Sequence, residues 1–355
     1  MSDAVGWFDA QDSEVLSTVA LRILGPGSVI RNLVAEPCGQ LGSLSRLARI
    51  RVSGADMAGV AQELSLILKR EPADAAAVGV TAMLDALSRE QQFYSALPEV
   101  ANAVSLRVWH SDYSSGQMRI VLDDAGPQRL PTQLDGCPLD VALQVMSLLA
   151  ELHASPDSAV RPSKLPAWTD PGTALLAEMY LQRLPLFEET YADMLPAEGL
   201  RLARSFAENM LRMLEEWSTR NARTVVHGDA RLDNVVLLPD GSARLIDWQM
   251  AGWAEGAFDV AHFIAGSLTV DERRRTESDL IDRYFSELKS RGSGALGRVE
   301  CEDAIRRTLL MVLPLNIIFG VAPTRDEATR TSRIAVLTRY FTALKDYSCD
   351  EFVGG

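Results

Sequence analysis

The chain is short of cysteine, of positive charge and of long apolar runs, and each shortage narrows what it can be. Cys38, Cys137, Cys301 and Cys349 are the four cysteines in 355 residues, and no two form a CxxC pair. That set argues against a zinc site or a disulfide scaffold and leads us to expect a reducing compartment, the cytoplasm. Lys and Arg number 35 against 48 Asp and Glu, a net charge of -13. An acidic surface suits neither nucleic acid nor an anionic membrane, so neither is expected as a partner. The longest apolar stretch, "LLMVLPLNIIFGVA" at 309–322, is broken by Pro314 and Asn316. It falls short of the roughly 20 residues a membrane-crossing helix needs and reads as a buried helical segment. The opening "MSDAVGWFDAQDSEV" carries acids and lacks a basic start and an apolar core, so no secretory signal is expected. There is no internal repeat and no low-complexity tract.

What is present reads as globular, with 47% hydrophobic and 23% charged residues, and the length allows two lobes. "VIRNLVAEP", "RLARIRV" and "ELSLILKRE" have strand character, separated by the turn-rich "CGQLGSLS" and "SGADMAG". One helix follows at 77–100, with Met83, Leu84, Leu87 and Phe93 at helical spacing and Pro98 closing it. "AVSLRVWHSDY" and "MRIVLDDAG" complete a five-stranded antiparallel sheet within residues 1–125. A Pro- and Gly-containing linker spans 126–135, and residues 136–355 are mainly helical, as in "VALQVMSLLAELHA" and "GLRLARSFAENMLRMLEEW". The expected class is α+β, with a ligand in a cleft between the lobes.

The polar residues of "VVHGDARLDNVVLLPDGSARLIDWQ" at 225–249 are the strongest chemical signal. Asp229 and Asn234 follow one apolar run, "NVVLL" and "ARLIDW" form a hairpin around Pro239-Asp240-Gly241, and Asp247 ends it. A hairpin can return Asp247 beside the loop. Phosphoryl transfer needs such a set: a carboxylate that orients the attacking hydroxyl and accepts its proton, and an amide plus a second carboxylate that hold magnesium against the nucleotide phosphates. The plain alternative is that Asp and Asn here are ordinary turn residues.

"HGDARLDN" followed by "LIDWQ" resembles the aminoglycoside phosphotransferase and choline kinase superfamily, small-molecule kinases with a protein-kinase-like two-lobe fold, and in particular its ecdysteroid-kinase-like and choline-kinase-like groups. The resemblance implies that Asp229 is the catalytic aspartate, that Arg231 stands near the transferred phosphate, and that Asn234 and Asp247 bind the metal. It implies Lys69 on the ATP phosphates with Glu90 as its ion-pair partner, and Leu122 and Asp124 in the segment that meets adenine. Gly39 and Gly42 would cover the phosphates, although no GxGxxG stands there. Asp259, in "AEGAFDVAHFI", would brace the catalytic loop. Trp248 and Gln249 replace the Phe and Gly of protein kinases. No activation segment follows Asp247, and the short distance to Asp259 leaves little room for a peptide-docking platform, which disfavours a protein kinase. ATP and magnesium follow as cofactors, with a small-molecule hydroxyl as acceptor and a monomer or homodimer as the assembly. A nucleotide-binding pseudokinase is the alternative.

His227 is expected to fix the loop, His153 to end a helix and His262 to pack. Trp168, Tyr180 and Tyr191 lie where the family builds substrate pockets, although aromatics at helical spacing are more often core. Glu178, Glu188, Glu189 and Asp193 would suit a cationic acceptor, or serve solubility alone.

Overall fold

The computed structural model describes residues 9–38, 44–128, 130–162, 165–167, 172–218, 223–292, 297–324 and 326–353. Gly39, Gly42 and Trp168 lie outside them. The chain divides into two compact units after Pro127.

The first unit opens with helix α1 (Ala10–Leu24), an element beyond the expected sheet and helix. Asp9 caps it, since the Asp9 carboxylate accepts from the Asp12 N–H and the Asp12 carboxylate from the Asp9 N–H, both at 2.8 Å. That reciprocal pair satisfies two of the donors a helix start leaves bare. Strands β1 (Val29–Cys38), β2 (Arg46–Ala55) and β3 (Ala61–Arg70) form a meander, and β4 (Val108–Ser114) and β5 (Gln117–Asp123) form a hairpin. The sheet is antiparallel in the order β1-β2-β3-β5-β4. Leu16, Val19 and Ala20 of α1 pack on Ala48, Ile50, Val52, Leu66, Leu68 and Val121, alternate strand positions that put their side chains on one face. The single expected helix is three: α2 (Ala75–Leu84), α3 (Ala86–Ala96) and α4 (Pro98–Val104). Asp85, at φ 51°, turns the chain between the first two, and Pro98 starts α4 rather than ending the helix before it.

The second unit is helical: α5 (Leu139–Ala154), α6 (Gly172–Tyr191), α7 (Ala197–Ser218), α8 (Ala257–Ser267), α9 (Val270–Ser290), α10 (Arg298–Leu309), α11 (Leu313–Gly320) and α12 (Glu327–Asp346). The apolar stretch near Pro314 is buried helix, with Leu309, Leu310, Val312, Leu313 and Ile317 fully enclosed. Between α7 and α8 run four short strands, β6 (Thr224–Val226), β7 (Val235–Leu237), β8 (Ala243–Leu245) and β9 (Gly252–Ala254). β7 pairs with β8 and β6 with β9, all antiparallel. Among the described residues no helix is long and apolar enough to cross a membrane.

Candidate active site

In the second unit the loop between β6 and β7 carries Asp229 and Asn234, and its shape is set from below. Gly228 has φ 80°, and a Cβ there would lie 2.0 Å from the Met250 carbonyl oxygen, so no side chain fits. The fully buried Asp259, near the start of α8, accepts the His227 N–H at 2.6 Å and the Gly228 N–H at 2.9 Å. His153 Nε2 lies 3.1 Å from the same carboxylate, and His153 Nδ1 lies 2.9 Å from the Tyr284 hydroxyl. Burial pushes the Asp259 carboxyl up. The His153 contact and the Gly228 N–H offset it and hold the carboxyl below its ordinary value.

His227 links this brace to the hairpin. Its Nδ1 accepts the Asp229 N–H at 3.3 Å, which leaves Nε2 as the protonated nitrogen, donating to the Ile246 carbonyl at 3.0 Å. The ring lies against Trp248, with centroids 4.4 Å apart. Trp248 in place of the Phe of protein kinases thus supplies a broad wall for an imidazole.

Four of the expected site residues come together here. Asn234 Nδ2 donates to the Asp229 carbonyl and to Asp229 Oδ2, each at 2.8 Å. Arg231 Nε lies 3.2 Å from the same Oδ2, and Arg231 Nη1 lies 3.4 Å from Asp233. Asp229 Oδ1 has no hydrogen-bond partner among the described residues, and the side chain is 26% exposed. The Ile246 N–H donates to the Asn234 carbonyl at 3.0 Å, and Val235 pairs with Leu245, which sets Asp247 one residue past the tether to Asn234. The hairpin therefore does return Asp247 to the loop. Asp229 holds the Arg231 guanidinium above its ordinary value. Burial opposes this, while Asp233 and Asp247 reinforce it, so one electrostatic neighbourhood includes all three carboxylates. Asp247 itself sits at φ 68°, a left-handed conformation.

This donor set suits magnesium. With both amide N–H groups of Asn234 committed to Asp229, its Oδ1 is the group left for a cation, and Asp247 adds a carboxylate. Magnesium takes hard oxygen ligands from one or two protein groups and completes its shell with phosphate oxygens and water.

In the first unit Lys69 and Glu90 form a buried pair, with Nζ 2.9 Å from Oε1 and 2.7 Å from Oε2. Lys69 is 4% exposed and Glu90 is fully buried, so each ion depends on its partner being there. Leu122 lies inside β5, paired with Ile67 of β3 and Val108 of β4. The Asp124 carboxylate is already engaged by Arg49 Nε and Ser65 Oγ, each at 2.6 Å, and by the Gly126 N–H at 2.9 Å. Backbone, not side chain, is what Asp124 has left to offer a nucleotide. Tyr180 and Tyr191 are core, their hydroxyls donating to the Ala203 and Gly320 carbonyls at 2.9 and 2.8 Å.

A five-stranded antiparallel sheet with its lysine held by a helix, followed by a helical unit with this loop and hairpin, is the protein-kinase-like fold of small-molecule kinases. Residues 42–292 match the model of the ecdysteroid kinase-like family, and the chain belongs to that family. Solved structures with a similar fold include choline kinase LicA from Streptococcus pneumoniae, at 13% identity over 95% of this chain and 100% of that one, TM-score 0.54. LicA in complex with AMP gives 12% identity over 94% and 98%, TM-score 0.50. A microcompartment-associated aminopropanol kinase gives 14% identity over 96% and 99%, TM-score 0.52. Comparison with curated proteins gives no match.

His153 and Tyr284 are the parts of the brace that the sequence does not signal. His153 does close a helix, but its ring reaches Asp259 and Tyr284 across 106 and 131 residues, and no local spacing signals that.

Proposed function

We propose that the chain is an ATP- and magnesium-dependent phosphotransferase that moves the γ-phosphoryl group of ATP to a hydroxyl of a small molecule. The observation that carries this reading is the Asp229 carboxylate, fixed at Oδ2 by Asn234 and Arg231 and open at Oδ1, on a loop braced by a buried aspartate. Asp229 Oδ1 takes the proton of the acceptor hydroxyl as that oxygen bonds to the γ-phosphorus. The bond from phosphorus to the bridging oxygen breaks, and ADP leaves with the electron pair. Asn234 Oδ1 and the Asp247 carboxylate would hold the magnesium, which would supply neutralisation of charge on the phosphate oxygens. Lys69, paired with Glu90, binds the α- and β-phosphates, and Arg231 exchanges part of its pairing with Asp229 for the transferred phosphate. AMP bound to LicA, a fold relative, is consistent with nucleotide use.

The test is magnesium-dependent ATP consumption against a panel of amino alcohols, sugars, aminoglycosides, macrolides and sterols. Asp229→Asn is expected to lose on the order of 10² to 10⁴ in rate with its circular dichroism unchanged. By calorimetry, Asp247→Ala should lose magnesium-dependent ATP binding. Asp240→Ala should retain it, because Asp240 Oδ1 serves the turn, accepting from Ser242 N and Oγ at 2.9 and 2.7 Å. Equal binding by these two variants would reject the metal assignment. Tight ATP binding without turnover on any acceptor would leave a nucleotide-binding module instead.

A further inference from the structure

His262 lies on α8 with its side chain 12% exposed, and its Nε2 stands 4.0 Å from Asp229 Oδ1. That is too far for a direct hydrogen bond, yet it is a span across which one oxygen atom can sit at about 2.8 Å from both groups. Nδ1 is buried with no hydrogen-bond partner among the described residues, and the ring meets Phe258 edge-on, centroids 5.9 Å apart. Burial holds the imidazole pKa below 6.5, against the pull of Asp229, so the ring is neutral and carries one proton. On Nδ1 that proton would be an unmet buried donor, and the Nε2 lone pair would face an anionic oxygen. On Nε2 it points toward the carboxylate, which electrostatics favours.

We propose that His262 is an acceptor-binding residue, its Nε2–H donating to the acceptor's hydroxyl oxygen while that hydroxyl points its own proton at Asp229 Oδ1. The proposal rests on the phosphotransfer reading and names the group that seats the nucleophile. One lone pair of the hydroxyl oxygen is taken by His262, the proton goes to Asp229, and the remaining lone pair forms the bond to phosphorus. His262 keeps its proton throughout. An ammonium group has no lone pair to accept from Nε2–H, so this seat takes a neutral oxygen and turns an amino alcohol hydroxyl-first into the site.

Two measurements on the full chain test this. The chain has four histidines, so nitrogen NMR of protein labelled at histidine, with the His262 signal assigned by its loss in His262→Gln, reads the tautomer directly. The Nε2–H form is expected. Hydrolysis of magnesium-ATP, in which water takes the acceptor's place, then reads the seat. His262→Leu should lower kcat about tenfold with the KM for ATP unchanged, and His262→Gln, whose amide nitrogen reaches a similar point, should recover most of it. An Nδ1–H tautomer, or hydrolysis by the leucine variant at the wild-type rate, overturns the proposal. Wild-type protein that shows the Nε2–H form but turns over neither water nor any alcohol rejects the phosphotransfer reading itself, and the acceptor role falls with it.

Discussion

At Asp259 a fully enclosed carboxylate accepts two backbone N–H groups and a histidine contact. Its folded pKa lies below the 3.8 of the free group. The stability it contributes is therefore complete above about pH 4 and is lost as the pH falls through the lower, folded value. Asp259→Asn leaves one amide oxygen where two N–H donors need acceptors, and we expect it to cost about 1–3 kcal/mol near neutrality. Urea denaturation of both proteins should show a gap that is constant from neutrality down to about pH 4 and narrows below it. A gap that stays the same into acid would mean that Asp259 contributes by shape rather than by charge. The placement of Asp229, Asn234 and Asp247 was the legible part of the sequence, because they fall within one loop and hairpin. The brace was legible only at Asp259, because its histidine and tyrosine partners come from distant helices and a sequence carries no distance between them.

Among the elements, α1 shows how a signal can be present and still go unread. Asp9, Asp12, Leu16, Val19 and Ala20 have the capping pattern and the spacing of a helix, yet acids at a chain start also read as a plain solvated segment. The helix is fastened by charge as well as by packing. Asp12, fully buried, ion-pairs with Arg70 Nη1 of β3 and, at 2.9 Å, with Arg119 Nε of β5, two residues that pair across the sheet. Lys69 precedes Arg70 and turns to Glu90 on α3, so adjacent residues of one strand are tied to two different helices. Asp12→Ala would strand two largely buried guanidinium groups. Because Glu71 and Asp9 still pair with them, the expected cost is about 3 kcal/mol, at the lower end for a broken buried pair. A loss under about 1 kcal/mol in urea denaturation would show that apolar packing alone holds α1. The break at Asp85 was invisible for another reason. The apolar rhythm runs on through it, and only the backbone, turned left-handed, records the corner.

On the scale of the molecule, the order of a sheet-rich first half and a helical second half followed from hydrophobic period alone, since period 2 and period 3.6 are hard to confuse over long stretches. The family match at 42–292 is narrower than the physical units. It omits α1, and it omits α12, where Arg339 donates to the Gln133 carbonyl at 2.7 Å. One feature of the hairpin bears on the history of the whole chain. Asp247 occupies a left-handed backbone that glycine adopts without penalty and other residues adopt at a cost. Asp247→Gly and Asp247→Ala both remove the carboxylate, so their difference isolates the backbone, and the glycine variant should be more stable by about 1 kcal/mol in urea denaturation. Equal stabilities would show that the turn carries no strain. Drift under selection for stability alone would thus pull this position toward glycine. A descendant released from phosphate chemistry would be expected to lose its carboxylate here early, well before its fold changed.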